Sequence, residues 1–214
     1  MLGAVEPLST ASLSVDEYIA RERAADGKSE YLDGRTHAMA GGSPRHNLVA
    51  ANLTAAIRTR LRGTPCVALT SDQRILIEDT GLYTYPDLAV VCGGVRVHPV
   101  FTDTVVNPTV LAEVLSPSTE AYDRGAKFAH YRRIESLREV LLVARDERFV
   151  ERFVRLDGGD TWRLDTWADE GAAVPLESVG VQVPLDEIYE GLEQLPPEDA
   201  PPPPTRLPRP KPRR

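Results

Sequence analysis

Two carboxylates and one lysine have the residue types and sequence context of a phosphodiester-cleaving site. Asp87 opens the apolar run 88–92, and Glu113 interrupts the apolar run 110–115. Each run predicts a buried strand, where a carboxylate is costly unless it is paired or binds a cation. Together with Lys127, the two acids can hold Mg²⁺, activate water and stabilise a phosphoryl oxyanion. These residues therefore predict phosphodiester hydrolysis.

The segment that carries Lys127 predicts a helix over residues 123–136. Asp123, Lys127 and Tyr131 recur in it at four-residue spacing, so they share one face of the helix. An Asp four residues before a Lys is also a favourable helix pair, worth about 0.2–0.5 kcal/mol, which leaves a purely structural role for Lys127 open. In the catalytic interpretation, we expect Asp123 and Tyr131 to orient Lys127 rather than to react.

Short motifs around these positions resemble the PD-(D/E)XK nuclease superfamily, in particular its bacterial restriction-endonuclease-like proteins. The resemblance runs over roughly residues 13–192 and is carried by Glu30-Tyr31-Leu32-Asp33-Gly34, Met39-Ala40-Gly41-Gly42-Ser43, His46-Asn47, Tyr85-Pro86-Asp87, the segment from Glu113 to Thr119, and Asp123-x3-Lys127-x3-Tyr131. It implies DNA as the substrate and Mg²⁺, with Mn²⁺ as a substitute, held by Asp87, Glu113 and the backbone carbonyl of Val114.

One position departs from the superfamily pattern, because Leu115 stands where Glu-x-Lys would place a lysine. The resemblance then implies that Lys127 supplies the ammonium group from the following helix. Three further residues are candidates for supporting roles at the edge of the site, Glu30 among them because the family pattern suggests it. Glu30 is either an additional acid there or an exposed hairpin acid, and His46 either touches substrate or water or is bonded by nearby backbone. Gln73 is either a hydrogen bonder at the edge of the site or structural.

Helices and strands alternate along the chain in the order of an α/β fold. The capping box of Ser14 and Glu17 predicts a short first helix, and the Asp33-Gly34 turn predicts a hairpin. Ser43 followed by proline predicts a helix that runs to about residue 62. Apolar runs predict strands at 67–69, 74–77, 88–92, 110–115 and 139–144, with a hairpin over 149–155 and 163–167, a loop over 93–108 and a short helix over 185–192. The fold class expected is a restriction-endonuclease-like mixed β-sheet flanked by helices, with additional β-hairpins.

Composition predicts one domain over residues 13–194 between two less ordered ends. Residues 1–12 are expected to be flexible, and residues 195–214 form a proline-rich basic tail that is expected to be disordered and could recruit a protein partner. No internal repeat is evident. Because cutting two strands benefits from two sites related by a twofold axis, we expect a homodimer.

The charge balance argues against a generic nucleic-acid binder. The chain carries a net charge of −7, and five cations lie beyond Ala200, so removing them leaves a body near −12. This acidity favours the alternative of a non-catalytic nucleic-acid-associated or partner-binding protein on a nuclease-like fold. A nuclease that acts on RNA or on structured DNA is a further alternative.

The cysteines and the apolar runs give expectations about the cellular location of the protein. Cys66 and Cys92 lack metal-ligand spacing, and we expect them to be buried reduced thiols rather than a disulfide. No basic, apolar leader and no apolar run of about 18 residues is evident in the sequence. The expectation is a cytoplasmic protein without a membrane segment.

Overall fold

Two β-sheets meet where Tyr85-Pro86-Asp87 carries the chain from one sheet to the other. The computed structural model describes residues 12–39, 41–156 and 159–197. Of the flexible start (1–12) and the tail (195–214) expected from the sequence, residues 1–11 and 198–214 lie outside the described residues.

Strands of the described residues form a five-stranded sheet, a six-stranded sheet and a two-stranded hairpin. In chain order they are β1 (Ser29–Leu32), β2 (Arg35–Ala38), β3 (Cys66–Thr70), β4 (Arg74–Ile77), β5 (Leu82–Thr84), β6 (Leu88–Cys92), β7 (Thr104–Val105), β8 (Val110–Leu115), β9 (Glu139–Ala144), β10 (Val150–Arg155), β11 (Trp162–Trp167), β12 (Ala173–Leu176) and β13 (Val181–Pro184).

Helical segments flank these sheets. They are α1 (Val15–Ala24), α2 (Pro44–Arg60), α3 (Glu120–Tyr122), a π-helical turn (Asp123–Lys127), α4 (Phe128–Tyr131), α5 (Leu185–Ile188) and two 3₁₀ turns (Glu177–Val179 and Leu192–Gln194). None of the helices in the described part of the chain is long and apolar enough to cross a membrane.

The six-stranded sheet has the order β11-β10-β9-β8-β6-β3 and is mixed. Its central strands β8 and β9 run parallel, in a register that places Val110 beside Glu139. Its other neighbouring strands are antiparallel. The expected mixed sheet with flanking helices is therefore confirmed.

Helix α2 covers one face of the six-stranded sheet. Its apolar residues Val49, Leu53 and Ile57 recur every four positions and are all fully buried. Burying each such side chain contributes about 1.5–3 kcal/mol. Since Ser43 caps the helix and Pro44 opens it, the position of its first turn is fixed as the sequence predicts.

The opposite face of the six-stranded sheet packs against α4 and against the second sheet, which has the order β2-β1-β5-β4-β7. Ile75, Ile77 and Leu82 of that second sheet lie in the same buried cluster as Leu111 and Tyr131. Since the two sheets share a core, residues at their junction are withdrawn from water.

Helix α1 closes the outer side of the five-stranded sheet through aromatic packing. Tyr18 stacks on Tyr31 at 4.8 Å between ring centroids, and its ring also meets the edge of Tyr83 at 5.6 Å. The predicted capping box is present, with Ser14 and Glu17 each accepting a backbone N–H of the other.

Two predictions about chain path are wrong in detail. The helix expected over 123–136 begins at Glu120, contains the π-helical turn and ends at Tyr131, because Ile134 and Leu137 turn into the core through short i→i+3 bonds. The loop expected over 93–108 contains β7, which pairs in parallel with β4.

The expectation of reduced thiols is also wrong, since Cys66 and Cys92 form a disulfide. Strands β3 and β6 pair antiparallel in a register that sets Cys66 directly opposite Cys92, with their Cα atoms 4.0 Å apart. Sequence spacing alone does not reveal that register. The argument from reduced thiols for a cytoplasmic location therefore no longer holds.

Candidate active site

Strand β8 places Glu113 at the centre of the candidate site. The strand is buried along its whole length, and the side chain of Glu113 points to the face that packs against the second sheet and α4. After Leu115 the chain turns back through Ser116, whose carbonyl accepts the N–H of Glu120 at 2.8 Å. This turn returns the following helical segment across the end of β8.

The π-helical turn buries both polar residues that begin and end it. Asp123 and Lys127 are 5% and 3% exposed, although each carries a full charge when ionised. A π-turn inserts one extra residue into a helix, and such turns are frequent at functional sites. Here it directs the two side chains toward the junction of the sheets.

The ammonium group of Lys127 lies among three carboxylates. Its Nζ is 2.9 Å from Oε1 of Glu113, 3.4 Å from Oε1 of Glu30 and 3.6 Å from Oδ1 of Asp123. Burial by itself lowers the pKa of Lys127, but the carboxylates and Tyr131 outweigh it and raise that pKa well above its usual value. Lys127 is therefore a permanent cation at the site.

Glu113 is held by two donors on one oxygen, since the hydroxyl of Tyr131 also donates to Oε1. The pKa of Glu113 is raised to about 8, chiefly by burial and in smaller part by the charges of Asp123 and Asp87, while Lys127 and the Tyr131 hydroxyl act in the opposite direction. Repulsion between neighbouring carboxylates is relieved by a bound cation. The electrostatics of Glu113 thus favour a metal ion.

Glu30 belongs to the other sheet and reaches the same cluster. It is 6% exposed, so the alternative of an exposed hairpin acid is wrong. The hydroxyl of Thr84 donates to Oε1 of Glu30, and the hydroxyl of Tyr122 donates to Oε2 at 2.7 Å. Lys127 therefore connects a carboxylate of the five-stranded sheet to one of the six-stranded sheet.

Asp87 is fixed by hydrogen bonds to a single oxygen. Its Oδ2 accepts the backbone N–H of Val114 at 2.7 Å, and Nε2 of His46 lies 3.2 Å from the same atom. Burial disfavours the charged imidazole, but the bonds to Asp87 and Asn47 prevail and raise the pKa of His46. These contacts orient the carboxylate of Asp87 and leave Oδ1 as the oxygen that could bind a cation.

The N-terminus of α2 brings His46 to Asp87. The backbone N–H of His46 donates to the Ser43 hydroxyl at 3.2 Å, and this hydrogen bond caps the helix. A Cβ atom at Gly42 would lie 2.6 Å from Nδ1 of His46, so the close approach of the backbone here requires glycine.

The donor set fits a hard cation that also binds substrate. Within the described residues no three His, Cys, Asp or Glu side chains are grouped to hold a metal ion on their own. Mg²⁺, however, is commonly held by one or two carboxylates together with waters and substrate phosphates. Asp87 and Glu113 meet that requirement, because the bonds described above engage Oδ2 of Asp87 and Oε1 of Glu113, which is one oxygen of each carboxylate.

Gln73 is the predicted residue that the structure does not bring into this cluster. Its side-chain amide donates to the backbone carbonyls of Arg74 and Asp103 at 2.9 and 3.0 Å. These bonds hold β4 against the segment before β7, which is a structural role.

Sequence reasoning missed Tyr122 and Thr84, the two hydroxyl donors to Glu30. Tyr122 directly precedes Asp123, but helical periodicity places it away from the face of Lys127. Thr84 ends a three-residue strand whose pairing with the rest of the sheet is non-local. Its role becomes visible only once β1 and β5 lie side by side.

The fold is an α/β fold in which a mixed sheet is flanked by helices. A similar fold is found in a crystal structure described as a putative nuclease belonging to DUF820 from Anabaena variabilis ATCC 29413. The two folds share a TM-score of 0.67 over 83% of this chain and 97% of that chain, at 16% sequence identity.

Sequence similarity gives the family. Residues 15–186 match the Uma2 family, described as "putative restriction endonuclease", and the chain belongs to this family. Two relatives come from Synechocystis sp. (strain ATCC 27184 / PCC 6803 / Kazusa). The uncharacterized protein slr1290 is 37% identical over 180 residues, covering 84% of this chain and 93% of that protein. The uncharacterized protein sll1609 is 34% identical over 170 residues, covering 78% and 93%.

Proposed function

We propose that the protein is a metal-dependent endonuclease that hydrolyses DNA phosphodiester bonds. The observation that carries the proposal is the buried cluster in which Lys127 contacts Glu113 and Glu30 at the end of β8, beside Asp87. A buried lysine among acids, next to a second carboxylate fixed by a backbone amide, suits the chemistry expected of a restriction-endonuclease-like family.

Each residue of the cluster would have its own role in the reaction. Asp87 and Glu113, with the backbone carbonyl of Val114, would hold Mg²⁺ or Mn²⁺. The metal would supply charge neutralisation and a water of lowered pKa. Lys127 would donate to the attacking water or to a phosphoryl oxygen, where charge develops during the reaction. Tyr131 holds Glu113, while Asp123 and Glu30 hold Lys127 in place.

Calorimetric titration of Mn²⁺ followed by plasmid nicking in the same samples tests this proposal. The variants are Asp87→Asn and Glu113→Gln, which keep side-chain shape, and the control is Glu120→Gln, an acid of the same helical segment whose contact is with Arg124. We expect both site variants to lose metal binding and nicking together, and the control to keep both. Full metal-dependent nicking by Asp87→Asn would refute the proposal.

The acidic body favours one other function, a non-catalytic binding protein on the same fold. With a net charge of −7, the chain has weak non-specific attraction for nucleic acid. Wild-type protein that binds no Mn²⁺ in the titration would make the buried acids structural and promote this second function. Its partner would then be sought through the proline-rich tail.

A homodimer is part of the proposal, because two sites related by a twofold axis can cut two strands. Light scattering on the full chain tests it. A mass equal to one chain would remove this part of the proposal and leave the site chemistry untouched.

A further inference from the structure

Strand β3 lies at one edge of the six-stranded sheet, where it pairs with β6 alone among the strands of the described residues. An edge strand presents backbone N–H and C=O groups that no neighbouring strand satisfies. Proteins usually protect such an edge with charged residues, with proline or by keeping the strand very short. β3 has none of these features, because its five residues include neither a charged residue nor a proline.

Each of the other edge strands in the described sheets has one of these protections. β2 contains Arg35, β11 contains Arg163 and Asp165, and β7 has only two residues. In the two-stranded hairpin, β12 contains Pro175 and β13 contains Pro184. Among the described edges, β3 is therefore the one most open to pairing with a further strand.

The register of β3 determines which of its backbone groups point outward. The N–H of Gly93 donates to the carbonyl of Pro65 at 3.1 Å, which makes these residues a hydrogen-bonded pair in line with the β3–β6 register. Because such pairs alternate along a ladder, every second residue of β3 points its backbone groups away from β6. The Cα separation of 4.0 Å between Cys66 and Cys92 fits the closer spacing of a non-hydrogen-bonded pair and agrees with this assignment. The outward residues are Cys66, Ala68 and Thr70.

Hydrogen bonds within the chain already use two of the outward groups. The N–H of Cys66 donates to the Thr64 hydroxyl at 3.3 Å, and the carbonyl of Thr70 accepts the N–H of Gln73 at 3.0 Å. The groups without a partner among the described residues are the carbonyl of Cys66, the N–H and carbonyl of Ala68, and the N–H of Thr70. Acceptor and donor thus stand at equal distances on either side of Ala68, which makes the edge complementary to an antiparallel copy of itself.

We propose that β3 is the surface through which two copies of this chain join, with Ala68 of each copy paired across a twofold axis. The proposal rests on the homodimer of the proposed function and deepens it by naming the interface. In this register each Ala68 N–H donates to the carbonyl of the partner's Ala68, and each Thr70 N–H donates to the carbonyl of the partner's Cys66. Every outward group left unsatisfied in one copy then has a partner, and two six-stranded sheets become one continuous sheet.

The side chains of β3 also suit this pairing. Val67 is 44% exposed, whereas Leu69 packs against the core that the two sheets share. The same register places Val67 opposite the partner's Leu69 in a non-hydrogen-bonded pair, where side chains of antiparallel strands lie closest. The exposed apolar surface of Val67 is thereby withdrawn from water.

This pairing places both candidate sites on the same side of the joined sheet. A twofold axis between antiparallel neighbouring strands is perpendicular to the sheet, so each face of one copy continues into the same face of the other. The carboxylate of Glu113 lies on the face that carries Tyr131. One duplex lying along that side of the dimer could therefore approach both sites.

Sedimentation velocity of the full chain over a range of protein concentrations tests the proposal. Val67→Lys puts a charge on the outer edge of β3, and Ala68→Pro removes an outward N–H without removing a bond to β6. The matched control is Leu164→Lys, because Leu164 is 47% exposed on β11 at the opposite edge of the same sheet. The melting temperature of each variant checks that it folds.

We expect wild type and Leu164→Lys to form dimers with the same dissociation constant. Both β3 variants should raise that constant by about tenfold or more, because Ala68→Pro removes an interfacial donor from each copy and Val67→Lys places an unpaired charge against the partner's Leu69. Wild type that stays monomeric, unchanged dimers in both β3 variants, or an equal loss in Leu164→Lys would overturn the proposal.

Amide hydrogen exchange tests the register without any substitution. At protein concentrations that favour the dimer, exchange at the N–H groups of Ala68 and Thr70 should slow, because these groups become hydrogen-bonded. The N–H of Leu69 points to β6 in both states and should change little. A dimer in which the Ala68 N–H exchanges as fast as in dilute solution would overturn the proposal.

These outcomes are separate from those that decide the nuclease chemistry. Each candidate site lies within one chain, so monomeric Val67→Lys should bind Mn²⁺ as wild type does. Wild type that dimerises through β3 and binds no Mn²⁺ would refute the nuclease and keep the interface. Wild type that binds Mn²⁺ and nicks plasmid, with dimers unaffected by either β3 variant, would do the reverse.

Discussion

Nε2 of His46 lies 3.2 Å from Oδ2 of Asp87, the same carboxylate oxygen that accepts the backbone N–H of Val114. Two donors on one oxygen fix both the rotamer of Asp87 and the direction of its second oxygen. Groups that orient a metal ligand in this way typically affect metal affinity by about 10- to 100-fold. In the proposed nuclease, His46 would therefore act through Asp87 as a positioning residue.

Replacing His46 by alanine should weaken Mn²⁺ binding about 10- to 100-fold, because Asp87 loses one of the donors that orient it. Calorimetry measures the change. His46→Gln, which can still donate to Asp87, should recover part of the affinity, and His37→Ala on an exposed part of β2 should have no effect. Equal metal affinity in wild type and His46→Ala would show that Val114 alone orients Asp87.

Replacing Lys127 provides a second test, because its ammonium group neutralises carboxylates that are buried away from water. Lys127→Met leaves Glu113, Glu30 and Asp123 without their cation and should cost about 3–5 kcal/mol of unfolding free energy in urea. Adding Glu113→Gln to Lys127→Met should restore part of that loss, since one uncompensated charge is removed.

A surface lysine serves as the control for that experiment. Lys28 pairs with Asp72, whose side chain is 89% exposed, and such pairs contribute about 0–1 kcal/mol. Lys28→Met should therefore change stability little. If Lys127→Met were equally mild, water would have to reach the three carboxylates.

Asp103 should make stability depend on acidic pH. Hydrogen bonds from Arg23 and Arg74 hold the pKa of Asp103 below its usual value, against the effect of burial. A carboxyl whose pKa is lower in the folded state contributes stability above its unfolded pKa near 3.8, and that contribution is lost as pH falls through the folded pKa. The difference in melting temperature between wild type and Asp103→Asn should shrink as the pH is lowered from about 6 to about 2.5. A constant difference would mean that Asp103 acts by packing alone.

The cross-strand disulfide should stabilise the edge strand β3. Closing a loop between positions 26 residues apart contributes about 3.5 kcal/mol in the chain-entropy description. The double variant Cys66→Ser with Cys92→Ser should lose about that much stability in guanidinium, as should wild type treated with reductant. Thiol titration of the denatured, unreduced protein should find no free thiol, and two thiols would contradict the pairing.

Strands and helices that depend on local pattern are predictable from the sequence. The apolar runs indicate β6, β8 and β9, and the serine caps indicate the starts of α1 and α2. These features follow from nearest neighbours along the chain, which a sequence displays directly.

Features that depend on distant pairing are not predictable in this way. The division into two sheets rests on β5, a strand of three residues, and on its pairing with β1 and β4. The partner of Cys66 depends on the register of β3 against β6. The π-helical turn departs from the 3.6-residue period on which helix prediction rests.

The candidate site also contains some residues that local sequence pattern predicts and others that depend on distant pairing. Asp87, Glu113 and Lys127 are indicated by their motifs. In the structure, Lys127 contacts Glu113, and Asp87 lies near enough to influence the charge of Glu113. The burial of Glu30 cannot be foreseen, because it depends on the second sheet folding against the first.

The short segment that joins the two sheets should also limit where members of this family can gain or lose residues. Strand β5 ends at Thr84 and β6 begins at Leu88, so three residues join the sheets and the last of them is Asp87. One inserted residue there would rotate Asp87 away from Val114, whereas the exposed connection at 93–103 could lengthen without moving either acid. Among relatives, insertions and deletions should therefore accumulate in that connection and be absent between β5 and β6.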